Sequence, residues 1–276
     1  MAESYVAYRV SEPLPVDGTL SHPAWQNAPR SPRFVDMATG EPGLLGTQSA
    51  VLWDDDNLYI GFWVEEPYPK AKLTERDSII FNENDIEVFI DGGDCYYEFE
   101  LNALNTVYEV FFIWRDAYLR GGRFDIPEFD LIDRKSFTFG GDFDRKPESF
   151  WWGTNPRGLR WAFLDWDFPG VRSAVHIDGV LNDPSQPSRG WTAEIAFPWT
   201  GMEHLANGRS LPPEEGDEWR LFLGRFQKLA VGENEVQAAW CWTPHGKYDT
   251  HMPDRFTPIQ FSKSELTISY PPGLSL

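Results

Sequence analysis

The sequence predicts an all-β protein, a two-sheet antiparallel β-sandwich of jelly-roll or immunoglobulin-like type that carries one long aromatic-rich insertion. Three observations lead there. Segments alternating with period 2 and rich in β-branched and aromatic residues recur along the chain. Asp, Asn, Gly and Pro punctuate them. Periodicity of 3.6 residues is weak, so helix should be scarce. In order, the strand segments are 5–10, 48–53, 58–64, 86–90, 96–101, 107–114, 173–177, 191–197, 219–226, 236–242 and 259–261. Asp54-Asp55-Asp56-Asn57 and Asp91-Gly92-Gly93-Asp94 each separate two apolar runs and read as hairpin turns. A short turn of helix fits 200–206. The stretch from about 115 to 169 mixes Gly, Pro, Asp and many rings, and is too long for an ordinary loop. It reads as an insertion packed on one domain spanning 1–276. Its Trp151, Trp152, Trp161 and Trp166 should lie against one mouth of the sandwich, because so much apolar surface is rarely left bare.

A chain of 276 residues buries an ample core without staples. Its net charge of −19 argues against nucleic-acid and anionic-membrane partners, which need a basic surface. Neutral or cationic ligands fit better. Aromatic residues make up 16%, with 13 Trp, more than a core alone demands, and Trp and Tyr also stack on flat apolar ligand faces. Cys95 and Cys241 are far apart in sequence and form no zinc pattern. No apolar run of about 20 residues is present. The first residues lack the basic and apolar regions of a secretory signal, so the expected address is the cytoplasm, or the protein is secreted and its signal has been removed.

Alternation sorts side chains onto faces. In 86–91, Ile86, Val88 and Ile90 share one face; in 96–102, Tyr97, Phe99 and Leu101 do. If these strands pair across Gly92-Gly93, the opposite face gathers Glu87, Glu98, Glu100 and Asn102. Such a face is either a wet outer surface or a polar groove with aromatic rims. Arg225, on a neighbouring strand, would balance the acids. Paired carboxylates also raise glycoside hydrolysis, which needs two of them flanking one bond. Asp54, Asp55, Asp56 and Asn57 form the richest run of oxygen ligands, and a structural calcium is expected there if anywhere. Otherwise no cofactor is expected. No phosphate loop, Gly-x-Ser-x-Gly elbow or paired histidine metal spacing occurs. His251, in a loop with Tyr248, Asp249 and Asp254, stands out among the histidines.

Several motifs, taken in order, resemble the family 9 carbohydrate-binding modules. They are Val16-Asp17-Gly18-Thr19-Leu20 followed by Ala24-Trp25, then Leu52-Trp53-Asp54-Asp55-Asp56-Asn57-Leu58-Tyr59-Ile60, then Asn84-Asp85-Ile86-Glu87-Val88-Phe89-Ile90-Asp91 with Tyr97-Glu98-Phe99-Glu100-Leu101-Asn102. Gly190 to Trp199, Gly216 to Arg220 and Met252-Pro253-Asp254-Arg255-Phe256 complete the series. The resemblance implies a jelly-roll-like sandwich related to the DOMON group and a non-catalytic carbohydrate-binding role, accessory to polysaccharide breakdown. It also implies a site in which two Trp rings clamp a sugar. By motif position Phe81 stands at one clamp Trp, Glu87 matches a sugar-contacting Glu, Glu100 stands at a sugar-contacting Arg, and the second clamp falls near Thr250. Replacement rings would come from Trp242, Tyr248 or the insertion. A glycoside hydrolase or hydrolase-associated subunit, and a DOMON-like haem binder starting from His251 or Met252, are the alternatives.

Overall fold

The computed structural model describes residues 4–140 and 155–266. It is all-β, with 41% strand against 8% helix. Fourteen strands are present among the described residues. They are β1 (Tyr5–Arg9), β2 (Val35–Asp36), β3 (Thr47–Trp53), β4 (Asn57–Glu65), β5 (Asp85–Asp91), β6 (Cys95–Asn102), β7 (Val107–Trp114), β8 (Ser136–Phe139), β9 (Arg160–Phe163), β10 (Arg172–Asp178), β11 (Gly190–Pro198), β12 (Glu218–Val231), β13 (Asn234–Cys241) and β14 (Thr257–Glu265). Two short α-helices, α1 (Pro23–Asn27) and α2 (Glu203–Ala206), and single 3-10 turns at Ile80–Asn82, Pro127–Phe129, Trp199–Gly201 and Pro253–Arg255 make up the helical part of the described residues. Every strand segment expected from alternation is present. β8 and β9, inside the 115–169 stretch, extend the sheet beyond β7.

The strands hydrogen-bond in the order β10-β11-β4-β3-β1-β14-β12-β5-β6-β7-β9-β8, with β13 on β12 and β2 on β13. This corrects the expectation of two separate antiparallel sheets. β1 runs parallel to β14 on one edge and to β3 on the other, so a single mixed sheet continues from one half to the other. The path does not close, since β8 and β10 are its two ends. It bends back on itself. β6 and β11 are far apart in strand order, yet Phe99 meets Phe197 edge-to-face with centroids 5.4 Å apart. Ile86, Val88, Ile90, Tyr97, Phe99 and Leu101 thus face Ile60, Phe62, Ile195 and Phe197 in the main core. Each such buried apolar side chain contributes roughly 1.5–3 kcal/mol. Cys95 and Cys241 are buried and free.

A second apolar cluster lies on the other face of β5, β6, β7 and β12. It contains Phe89, Tyr96, Phe112, Trp114, Phe222 and Phe226, and Phe256 covers it from the segment after β13. This face is therefore roofed rather than wet.

Candidate functional site: an acidic floor between aromatic walls

The strand pleat sends Asp85 and Glu87 of β5, and Glu98 and Glu100 of β6, to the face away from the main core. Register then places Glu87 directly opposite Glu100, Asp85 opposite Asn102 and Phe89 opposite Glu98. Tyr108 of β7 stands beside Glu100. All four carboxylates are buried. Both carboxylate oxygens of Asp85, and Oε2 of Glu87 and of Glu100, have no well-aligned hydrogen-bond partner among the described residues. Burial pushes the Asp85, Glu87 and Glu100 carboxyls well above the usual range; the Phe226 backbone N–H holds Asp85 back, and repulsion from neighbouring carboxylates, Glu98 among them in every case, adds to the rise. Burial lifts Glu98 to about 8, held from going further by a hydrogen bond from Glu100. Like charges this close in low dielectric cannot all ionise, so the group titrates as a unit.

Glu87, Glu98 and Glu100 form the floor of a cleft of about 430 Å³. One wall is β8, with Phe137, Thr138 and Phe139. The facing wall carries Phe81, Phe226 of β12 and Gln237 of β13. Phe81 meets Tyr108 edge-on at 5.5 Å, and Gln237 Nε2 donates to the Phe81 carbonyl at 2.9 Å, which pins this wall. Tyr248 meets Phe226 edge-on at 5.9 Å. Burial raises the Tyr248 phenol, with Glu87 and Asp85 adding to the shift, which puts this ring close to the acidic floor. His251 closes one end. Its Nδ1 shares a 3.0 Å hydrogen bond with the Tyr96 hydroxyl, and its ring packs on Phe139 at 4.4 Å and Phe112 at 5.2 Å. Burial, then the Arg160 charge, holds its imidazole well below its ordinary 6.5.

Phe81, Glu87, Glu98 and Glu100 thus meet in one cleft, as alternation and motif position suggested, with Tyr248 beside them and Thr250 in the lining. Other expected members lie elsewhere. Arg225 points to the opposite face of β12, where Leu221 and Leu223 also point; its charge reaches Asp85 through space and lowers that carboxyl a little, but its hydrogen bonds and ion pair go elsewhere. Its guanidinium donates to Thr47 Oγ1, the Glu65 carbonyl and Gln227 Oε1, and faces Glu66 at 3.8 Å. Trp242 packs edge-on against Tyr5 at 4.9 Å on that same side. Asn102 stays on the acidic face, but its amide is spent on the following turn: it donates to the Leu73 carbonyl and accepts from Leu104 and Thr106. Trp166 is buried against Phe111 and Tyr97 and donates to Glu128, so it is a core ring; Trp161 is half-buried in β9. Trp151 and Trp152 lie outside the described residues.

The Asp54–Asn57 turn satisfies itself. Asp54 accepts from the Asp56 and Asn57 amides and from the Tyr59 hydroxyl, and Asp55 pairs with Arg9 at 2.5 Å. Asp85, Tyr108, Phe137, Phe139, Phe226 and Gln237 are members that the sequence reading missed. Asp85 was within reach, because extending the alternation one residue back from Glu87 puts it on the same face. A second groove of about 500 Å³ crosses β4, β11 and β10 near Trp63, His176 and Arg189. Arg30 already lies 3.9 Å over the Trp63 ring, so that platform is covered.

No protein-family model matches this chain, and no curated protein matches it by sequence. Solved structures do. A candidate carbohydrate-binding protein from Bacteroides uniformis superposes with a TM-score of 0.55 at 13% identity, covering 94% of this chain and 99% of that one. A family 9 carbohydrate-binding module from Caldicellulosiruptor kristjanssonii, in complex with cellotriose, gives 0.52 at 11% identity with 98% of each chain covered. The family 9 module from the same organism in complex with glucose gives 0.51 at 11% identity, covering 97% of this chain and all of that one. The fold is that of the family 9 carbohydrate-binding modules.

Proposed function

We propose that the chain binds carbohydrate without catalysis, in the cleft over Glu87, Glu98 and Glu100. The observation that supports this most is the pairing of a hydrogen-bonding floor with aromatic walls on both sides. A sugar ring has a flat C–H face that Phe137 or Phe81 could cover, and its hydroxyls project around the rim toward carboxylates. Charge-assisted bonds of that kind contribute about 1.5–3 kcal/mol each. The like-folded module bound to cellotriose lends the reading support. Binding is favoured over hydrolysis because all four carboxylates rise from one sheet face, side by side. A glycosidase needs its two carboxyl groups on either side of the scissile bond. The role we propose around this binding is accessory to polysaccharide breakdown.

Calorimetry with cellotriose and glucose, followed by a glycan array, tests this. Monosaccharides should bind weakly and with little salt dependence, since the ligand is neutral. Glu87→Ala should cost at least about 1 kcal/mol, several-fold in affinity. An array without a single responsive glycan would end the carbohydrate reading. A responsive glycan held equally well by Glu87→Ala would move the site out of this cleft.

A further inference from the structure

Two independent features of the acidic floor point to one ligand. The first is spacing: one oxygen each from Asp85, Glu87 and Glu100 lie within 4.8 Å of one another. Oxygens arranged around a calcium ion at about 2.3–2.6 Å lie no farther apart than about twice that radius. The second is deprivation. Asp85 is fully buried and neither of its oxygens accepts a well-aligned hydrogen bond among the described residues, the Phe226 backbone N–H being the one donor that acts on it; one oxygen of Glu87 and one of Glu100 have no partner among the described residues, and both residues are more than nine-tenths buried. Buried polar atoms are almost always satisfied. Protonating an acid supplies one donor, as Glu100 does toward Glu98, but each proton serves only one oxygen of a neighbour, whereas a single cation can engage all three residues at once.

We infer that the Asp85–Glu87–Glu100 triad is a binding site for a hard divalent cation of the calcium class. An all-oxygen, all-carboxylate set suits calcium, magnesium or manganese, whereas zinc favours nitrogen and sulfur. One divalent ion would engage the unpartnered oxygens of all three residues together and cancel most of their repulsion. Glu87 and Glu100 also line the cleft, so the remaining coordination positions face it and are open to water or to a ligand hydroxyl. The Asp54–Asn57 turn is the poorer candidate, since its oxygens already accept amide and hydroxyl protons. The inference stands whether or not the cleft takes a sugar.

The test uses the full chain after chelator treatment and exchange into metal-free buffer. Calcium chloride is titrated by calorimetry and terbium by luminescence sensitised through Tyr108. One ion should bind per chain, and the melting temperature should rise with calcium, as for any ligand of the native state. Asp85→Asn and Glu100→Gln should each weaken calcium at least about tenfold, since charge count tunes such sites. Asp54→Asn should bind as the parent does. Circular dichroism checks that each variant is folded, and Glu100→Gln serves if Asp85→Asn is not. An unchanged melt and no heat up to about 10 mM calcium, magnesium or manganese would overturn the site. So would binding that survives Asp85→Asn and Glu100→Gln but is lost in Asp54→Asn.

Discussion

Two buried acids, Glu66 just past the end of β4 and Asp85 at the start of β5, are treated in opposite ways. Glu66 accepts from Asn84 at 2.6 Å, Gln227 at 3.2 Å and the Trp191 indole at 2.7 Å, with Arg225 at 3.8 Å as its counter-charge. Asp85 is the very next residue after Asn84, and both of its oxygens lack a well-aligned partner among the described residues. Asn84 serves the first acid from one face, and the pleat hands Asp85 to the other. Burial pulls Arg225 only to about 10, with Glu66 resisting the fall, so the guanidinium stays charged near neutrality. The acid supplied with a full set of partners holds the layers together. The acids left without one mark the place where the molecule is finished by something else.

The largest effect that can break this comparison is removal of Glu66. Glu66→Ala strands a buried guanidinium and three donors, and should lower unfolding stability by about 3–5 kcal/mol in urea titrations. A loss below about 1 kcal/mol would mean that the network is not what holds the layers. Glu100→Gln sharpens the contrast from the other side. An amide here replaces a carboxyl that burial already disfavours as an anion, so the metal-free chain should be no less stable and up to about 1 kcal/mol more stable, the reverse of the sign expected for Glu66→Ala. A destabilised Glu100→Gln would show that the floor is a structural network like the one around Glu66.

The effect that depends most on pH concerns His251, whose neighbour Arg160 is a third buried charge with only partial support. Arg160 donates to the His251 carbonyl at 2.6 Å, while its Nε and Nη1 have no partner among the described residues. The folded His251 imidazole titrates well below its ordinary 6.5. Above that pH neither state holds the proton. Below it the unfolded chain is protonated first, so native stability falls with pH by at most about 1.4 kcal/mol per unit. The parent should therefore lose stability relative to His251→Phe between pH about 7 and about 5. His245, also lowered by burial, is common to both and drops out of the difference. A gap that stays constant across this range would mean that the native ring carries its proton.

The fold was legible wherever local pattern decides it. Segments such as 107–114 and 191–197 alternate between Asp, Gly and Pro punctuation, and their strands end within a residue or so of the expected limits. β9 was hidden because Arg160-Trp161-Ala162-Phe163 is short and flanked by rings and prolines that carry no period. The parallel placement of β1 was hidden for another reason: pairing between distant segments leaves no local trace. Of the site, the acidic floor followed from alternation alone. Its burial did not, because the covering residues come from β8 and from the segment around His251, more than thirty residues away in sequence. Arg225 was misplaced through reading the strand by proximity; the run Leu221-x-Leu223-x-Arg225 already assigns it to the core side.

The joint made by β1 also bears on how the molecule is assembled. Tyr5 pairs with Ile259, about 250 residues apart in sequence, and this pair links the two halves of the sheet. A ribosome delivering the chain from its amino end would release β1 long before β14 exists. Until then β1 has only its brief contact with β3 at Tyr8 and Arg9. The strand that locks β1 therefore emerges after every other described strand, and a nascent chain stalled short of β14 would hold two half-sheets with exposed edges, open to pairing with other chains.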